Sequence, residues 1–161
     1  MKKGSTYYFL RPDATVTEGL ALVESRLAEI NKGDTVLLEF GCGDCDYQWS
    51  QIAAFPMLHH KPNTDLDQFS AYYGRIIGII KSVGARPVVL SLPPLDAENF
   101  FNDISRGMDS VRKANLLSWL GGDICSVVKL RETYNQCAFA LANAAGVEFR
   151  NVDCAFSADR S

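Results

Sequence analysis

The sequence predicts an α/β fold built on a mainly parallel sheet, and three observations lead to this class. Residues 35–40 form a short, almost uninterrupted apolar run, which is typical of a strand buried on both faces of a parallel sheet. Segments with helical periodicity alternate along the chain with further short apolar runs. The connections from helix to strand are short, as expected for right-handed crossovers.

The first third of the chain predicts the order strand, helix, strand. Residues 7–10 are a short aromatic strand candidate. The next helix begins after Thr15, which forms a capping-box pattern with Glu18 three residues later. Gly33 is expected to cap the end of this helix, and residues 36–40 form the second strand.

The middle of the chain predicts a helix and a strand between two irregular segments. Residues 46–64 are expected to form a long loop, and loops of this length inside compact domains are often functional. A helix capped by the segment 64–67 runs to Gly84 and leads into a buried strand at 87–92. A second irregular segment is expected from 95 to about 107.

The last third predicts two helices and a final strand. A helix runs to Trp119 and stops at the two glycines that follow. Asp123 is expected to cap the longest helix, which ends at Gly146. Residues 147–149 begin the last strand.

Composition and charge favour a single globular domain covering residues 1–161. The chain is 47% hydrophobic and 22% charged, and its net charge of -3 gives no electrostatic case for binding nucleic acid. No apolar run approaches the length of a membrane span, and the apolar part near the N-terminus is too short for a signal peptide. Five irregularly spaced cysteines suit a reducing compartment, so we predict a cytoplasmic protein.

The turn that follows the second strand is the predicted ligand site. Ligands bind at the carboxyl ends of strands in open α/β sheets. A Gly-x-Gly-Asp turn there allows the backbone to approach a ligand and would set the Asp44 carboxylate at the rim. The residues expected to line the site are Gly41, Cys42, Asp44, Cys45, Ser91 and Pro93.

Two alternatives use the cysteines of this turn. Cys42 and Cys45 have redox-pair spacing, but neighbouring aspartates would raise a thiol pKa. A zinc site would need His59 or His60 as well, and adjacent histidines cannot replace a turn-separated pair. We therefore expect neither a metal nor a cofactor.

The two histidines are the candidates for a general base. His59 and His60 are the only histidines in the chain, and a solvated loop pair is the simpler interpretation. The sequence contains no Gly-x-Ser-x-Gly nucleophile elbow, no Gly-x-Gly-x-x-Gly and no P-loop.

Three segments together resemble the SGNH/GDSL-type hydrolases. Residues 36–44 resemble the third conserved block, a buried strand followed by Gly-x-Asn-Asp, and residues 13–20 look like the second block. Residues 88–94 are similar to the next strand and its proline-containing turn. The resemblance implies a flavodoxin-like, three-layer sandwich. It also implies an ancestral serine esterase acting on carboxylic esters or acetylated carbohydrate, whose substrate would be a small ester or acylated sugar.

The departures from that family predict a truncated or inactive copy, shortened at both ends. The chain has neither the Gly-Asp-Ser nucleophile block nor the Asp-x-x-His block. By resemblance, Asp13 and Gly43 occupy the oxyanion-hole positions where the family has glycine and asparagine. Removal of one such donor typically lowers the rate by about 10²–10³. No intact triad is therefore predicted, and whether the chain is an enzyme stays open.

Two further expectations follow. Without the nucleophile strand, the strand at 7–10 must pair elsewhere, and direct pairing with the strand at 36–40 is one option. Otherwise a sheet edge stays open for a second copy, so we expect self-association or marginal stability. For function, the alternatives to a hydrolase-derived domain are a non-catalytic binding module and a thiol or metal protein that uses Cys42 and Cys45.

Overall fold

A computed structural model describes residues 4–10 and 14–152 of the chain. Within these ranges it contains four strands: β1 (Thr6–Leu10), β2 (Thr35–Glu39), β3 (Arg86–Leu90) and β4 (Glu148–Arg150). It also contains six α-helices: α1 (Val16–Arg26), α2 (Trp49–Ala54), α3 (Leu66–Ser82), α4 (Ala97–Ile104), α5 (Ser110–Trp119) and α6 (Ser126–Ala145). The predicted α/β class is confirmed.

The strands form one sheet in which every pair is parallel and the order is β1-β2-β3-β4. β1 pairs directly with β2, with Tyr7 opposite Val36, which is one of the two arrangements expected from the sequence. Two residues further along, Phe9 pairs with Leu38 and Leu38 pairs with Val89, and all three side chains are buried. The arrangement is compatible with a flavodoxin-like sandwich.

Helices α1, α3 and α6 lie together on one face of the sheet. Each connects two consecutive parallel strands, and right-handed connections of this kind place their helices on the same side. α3 lies in the middle and packs against both α1 and α6. Its fully buried Tyr73 and the nearly fully buried Ile77 join the sheet residues in the main core.

The helix ends follow local sequence signals. The Thr15 side chain accepts a hydrogen bond from the Glu18 amide, and the Asp65 carboxylate accepts one from the Gln68 amide at 2.8 Å. Gly146 ends α6 with a left-handed φ of 69°, which an L side chain rarely adopts. These three predicted caps are confirmed.

Two other predicted caps are wrong. α1 ends at Arg26 and a 3-10 turn follows, so Gly33 lies beyond the helix, in the turn that leads to β2. Asp123 does not cap α6, because a turn intervenes before the helix begins at Ser126. Its carboxylate instead accepts a hydrogen bond from the Cys125 amide at 2.9 Å.

Both segments predicted to be irregular contain a short helix. α2 lies within 46–64 and α4 within 95–107, and α2 packs against α5. We call α2, α4 and α5 the cap. The cap has a small core of its own, in which Ile52, Ala53 and Leu116 are buried. Helices this short show too few turns for periodicity to reveal them.

No helix in the described part of the chain combines the length and the apolarity that crossing a bilayer requires.

Candidate functional site

The Gly-x-Gly-Asp turn leaves β2 at the carboxyl edge of the sheet, where the sequence places the site. Gly41 has a φ of 133°, a conformation that side chains rarely adopt. A Cβ atom at Gly41 would also lie 3.1 Å from the Leu92 side chain, which follows β3. The turn closes when the Cys45 amide donates to the Gly41 carbonyl at 2.9 Å. Glycine is therefore favoured here by its backbone conformation, and a larger residue would also press on the Leu92 side chain.

Asp44 is an internal support of this turn. Its Oδ1 accepts a hydrogen bond from the Val16 amide at 2.9 Å, and its backbone carbonyl accepts one from the Thr64 amide at 3.0 Å. The expectation that its carboxylate lies at the rim is wrong, because the residue is fully buried. Burial raises the pKa of the Asp44 carboxyl, and the hydrogen bond from Val16 offsets part of that rise.

A cleft of about 280 Å³ opens beside the turn, between the sheet edge, the cap and α6. Its polar lining residues are Cys42, Gly43, Cys45, Asp46, Asn63 and Arg131. Its apolar and aromatic lining residues are Trp49, Leu95, Phe100, Val127 and Leu130. The predicted lining residues Cys42 and Cys45 are thus in the cleft, as is Gly43.

Hydrogen bonds and ring contacts fix the wall and floor of the cleft. The Trp49 indole N–H donates to Asp46 Oδ1 at 2.5 Å, and the Asn63 side-chain amide donates to the Gly43 carbonyl at 2.9 Å. The Trp49 ring meets the Phe100 and Trp119 rings edge to face, with centroids 5.8 and 6.1 Å apart. The apolar wall is therefore held in place before any ligand arrives.

Arg131 supplies the cation of the cleft. Its Nε and Nη2 atoms both donate to the Pro93 carbonyl, at 3.1 and 2.6 Å. The residue also lines a second cavity of about 360 Å³, which includes Ser91 and Pro93. Burial raises the pKa of both Glu39 and Cys42, and the positive charge of Arg131 works against each rise.

The thiols of the cleft are poor nucleophiles. Burial is the main cause of the raised pKa of Cys42, and it raises the pKa of Cys45 to about 12. Redox and metal chemistry use the thiolate form, which these environments disfavour. Among the residues that the structure describes, no group of three or more His, Cys, Asp or Glu side chains could hold a metal ion.

The histidines lie away from the cleft. His59 and His60 line a shallow pocket together with Gln48, Gln51, Leu58 and Lys61. His60 Nε2 lies 2.8 Å from the Phe55 carbonyl oxygen. Over residues 4–10 and 14–152, no hydrogen bond joins either histidine to a serine hydroxyl, so the described structure assembles no Ser–His pair.

The other predicted lining residues, Ser91 and Pro93, make hydrogen bonds that hold neighbouring segments together. Ser91 is buried, and its hydroxyl accepts a hydrogen bond from the Val152 amide at 2.8 Å. It also donates to Asn151 Oδ1 at 3.3 Å, which ties the end of β3 to the segment after β4. Pro93 contributes its carbonyl to Arg131. Asp13, the other oxyanion-hole position by resemblance, lies outside the described residues.

Sequence reasoning missed Arg131 as well as the cleft roles of Trp49, Asn63 and Phe100. Arg131 follows Val127 by four residues and precedes Tyr134 by three, so it falls on the buried stripe of α6. A charged residue within an apolar stripe is a signal that could have identified it. Trp49, Asn63 and Phe100 come from segments read as irregular, where no pattern predicts which side chains meet.

Comparison with known proteins assigns no relative. No family model matches the chain, and a search of curated proteins finds no match either.

Proposed function

We propose that the chain is a non-catalytic binding module for a small organic acid with an apolar or aromatic body. The observation that carries this proposal is Arg131, a cation that lines a cleft together with several apolar and aromatic side chains. Arginine binds carboxylates through its planar set of N–H donors. Two of those five donors are used by the Pro93 carbonyl, which fixes the position of the guanidinium between this cleft and the second cavity.

The size and composition of the cleft support a small ligand. About 280 Å³ lies near the lower end of the range for small-molecule sites, and such sites combine apolar walls with a few oriented polar groups. Trp49 and Phe100 offer ring surfaces within the cleft. Within the described residues no ion pair involves Arg131, although its charge acts on the nearby Glu39 carboxyl.

Binding of a matched acid and amide tests the proposal. Phenylacetate and phenylacetamide have nearly the same shape and differ in charge. We expect phenylacetate to shift the indole N–H resonance of Trp49 in an NMR titration, with phenylacetamide binding more weakly. A hydrogen bond to a charged group contributes about 1.5–3 kcal/mol, so Arg131→Met should weaken acid binding roughly tenfold or more.

The matched control is Arg112→Met. Arg112 lies on the exposed surface of α5, where it pairs with Asp109. This change should leave phenylacetate binding unaltered. Equal affinity for acid and amide, or equal loss in both variants, would contradict the role of Arg131.

A hydrolase-derived scaffold is the second candidate, and two observations favour it. The Asp44–Val16 hydrogen bond joins the two segments that resemble the second and third SGNH blocks. β1 pairs directly with β2, which fits a sheet of that type from which the nucleophile strand is missing. On this proposal the flavodoxin-like, three-layer SGNH architecture is ancestral, and ester hydrolysis is lost.

Covalent labelling separates ancestry from activity. We expect no labelling by a serine-directed fluorophosphonate and no turnover of a short-chain p-nitrophenyl ester. A single labelled serine, with turnover abolished by the label, would mean that a nucleophile is assembled and that the binding-module proposal is wrong. The thiol or metal alternative draws no support from Cys42 and Cys45, because burial raises both thiol pKa values.

A further inference from the structure

One edge of the sheet is open at β1. β1 is the first strand in the sheet order, so only one of its sides pairs with another described strand. The Thr35 amide donates to the Ser5 carbonyl, which therefore faces β2. Since successive residues of a strand direct their backbone groups to opposite sides, the N–H and C=O groups of Thr6, Tyr8 and Leu10 face away from β2.

Within Thr6–Leu10, this edge lacks the sequence features that usually protect an edge strand from pairing. Edge strands are normally blocked by charged residues, proline, bulges or short length. The five residues of β1 read Thr-Tyr-Tyr-Phe-Leu and include no charge and no proline. The Tyr8 side chain is 60% exposed at the centre of the strand. Strand addition is therefore the interaction that this edge favours.

A stripe on α1 runs beside the same edge. Glu18, Leu22 and Arg26 follow one another at four-residue spacing and line a groove of about 280 Å³ together with Tyr8 and Phe9. α1 connects the carboxyl end of β1 to the amino end of β2, so it runs antiparallel to the strands. Its acidic end therefore lies near the carboxyl end of β1, and its basic end lies near the amino end.

We propose that β1 pairs with β1 of a second copy of this chain, antiparallel, about a two-fold axis at Tyr8. Tyr8 then faces Tyr8 of the partner copy, and Thr6 faces Leu10 of the partner copy. The three outward residues of each strand exchange six backbone hydrogen bonds, because each such antiparallel pair exchanges two. The two sheets become one sheet of eight strands.

The charged ends of the stripe favour this orientation: Arg26 Nε already donates to Glu29 Oε2 at 2.8 Å, and its other N–H groups can meet Glu18 of the second copy. An axis normal to the sheet keeps both α1 helices on the same face and runs them in opposite directions. Glu18 of each copy then approaches the Arg26 end of the other, with Leu22 near the axis. Parallel pairing of the two edges would need an axis along the strands, and that axis would place the helices on opposite faces. The stripe is self-complementary only in the antiparallel arrangement, which is a closed two-fold interface.

Molar mass in solution and disulfide trapping test the proposal. Light scattering should give a dimer whose fraction rises with protein concentration. In a Cys125→Ser background, Tyr8→Cys should form an intermolecular disulfide on oxidation, because residues paired in this way have Cα atoms about 5.5 Å apart. The matched control is Thr6→Cys, since four residues along the strands separate the two copies by roughly 13 Å and no bridge can form.

A second variant places a charged side chain at the proposed two-fold axis. Tyr8→Lys places like charges opposite each other and removes no hydrogen bond between β1 and β2, so it should give a folded monomer. Met57→Lys changes a side chain that is 94% exposed on another surface and should leave the dimer intact.

Three results would overturn the proposal. These are a monomer at every concentration, trapping of Thr6→Cys as readily as Tyr8→Cys, and a dimer that persists in Tyr8→Lys and so belongs to another surface. Should Tyr8→Cys fail to fold, hydrogen exchange on the unaltered protein gives the answer. The amides of Thr6 and Tyr8 must become more protected as protein concentration rises, and exchange independent of concentration refutes the pairing.

Discussion

Gly19 and Gly78 offer a matched pair of glycine-to-alanine substitutions in helices. Gly19 is buried in α1, and a Cβ atom there would lie closer to the Phe40 ring than non-bonded carbon atoms approach. Gly78 is exposed in α3, and a Cβ atom there would meet nothing within 4 Å. The two positions therefore share the backbone effect of the substitution and differ in steric conflict.

The magnitudes follow from these two effects. Replacing glycine by alanine inside a helix stabilises it by about 0.5–1 kcal/mol, which is the whole effect expected for Gly78→Ala. Overpacking a core typically costs about 1–3 kcal/mol. The Phe40 ring is held edge to face against buried Tyr73, with centroids 5.4 Å apart, so it cannot easily move away. We expect Gly19→Ala to lower the free energy of unfolding by about 0–2.5 kcal/mol net, and to be about 1–3 kcal/mol less stable than Gly78→Ala.

Urea denaturation of the two variants and the unaltered protein measures this difference. Gly78→Ala should raise the midpoint and Gly19→Ala should lower it, with unchanged slopes. Gly19→Ala/Phe40→Leu should recover part of the loss, because a smaller side chain makes room for the new methyl group. If Gly19→Ala is as stable as Gly78→Ala, the close packing of α1 on the end of β2 is refuted.

Two further outcomes concern the cleft and its support. Exposed Cys125 should react quickly with a thiol reagent. Cys45 should react only on unfolding, because burial raises its pKa to about 12. At about pH 8 the thiolate fraction of Cys45 is then on the order of 10⁻⁴. Mass spectrometry of the labelled peptides checks this, and rapid labelling of Cys45 would contradict it. Because burial raises the folded-state pKa of Asp44, the folded protein binds that proton more tightly, and stability falls as pH rises from the unfolded toward the folded pKa. The stability of Asp44→Asn relative to the unaltered protein should therefore increase from about pH 4 to about pH 7, and a gap independent of pH would show that Asp44 does not titrate in this way.

The sheet and its crossover helices could be predicted because their signals are local and repeated. The apolar run of β2, the capping residues Thr15 and Asp65 and the terminal Gly146 each act within one turn of the chain. Direct pairing of β1 with β2 was one of the two arrangements expected, and the structure shows it. These elements required no knowledge of distant contacts.

The cap and the cleft could not be predicted because they depend on contacts between segments far apart in sequence. The Asn115 side-chain amide donates to the Ala53 carbonyl at 2.9 Å, which links α5 to the end of α2 across more than sixty residues. Arg131 reaches the Pro93 carbonyl across 38 residues. A buried position for Asp44 was unexpected for the same reason, since only the folded chain brings the Val16 amide to its carboxylate.

The consecutive order of the strands has a consequence for how the ligand site is built. In open α/β sheets the binding crevice usually forms where the strand order reverses and neighbouring connections diverge. The four described strands contain no such reversal, so the cap supplies the wall of the cleft through Trp49 and Phe100. The cap has a small core of its own, separate from the core of the sheet. If the proposed ligand binds in this cleft, its affinity therefore depends on the packing of the cap as well as on the sheet.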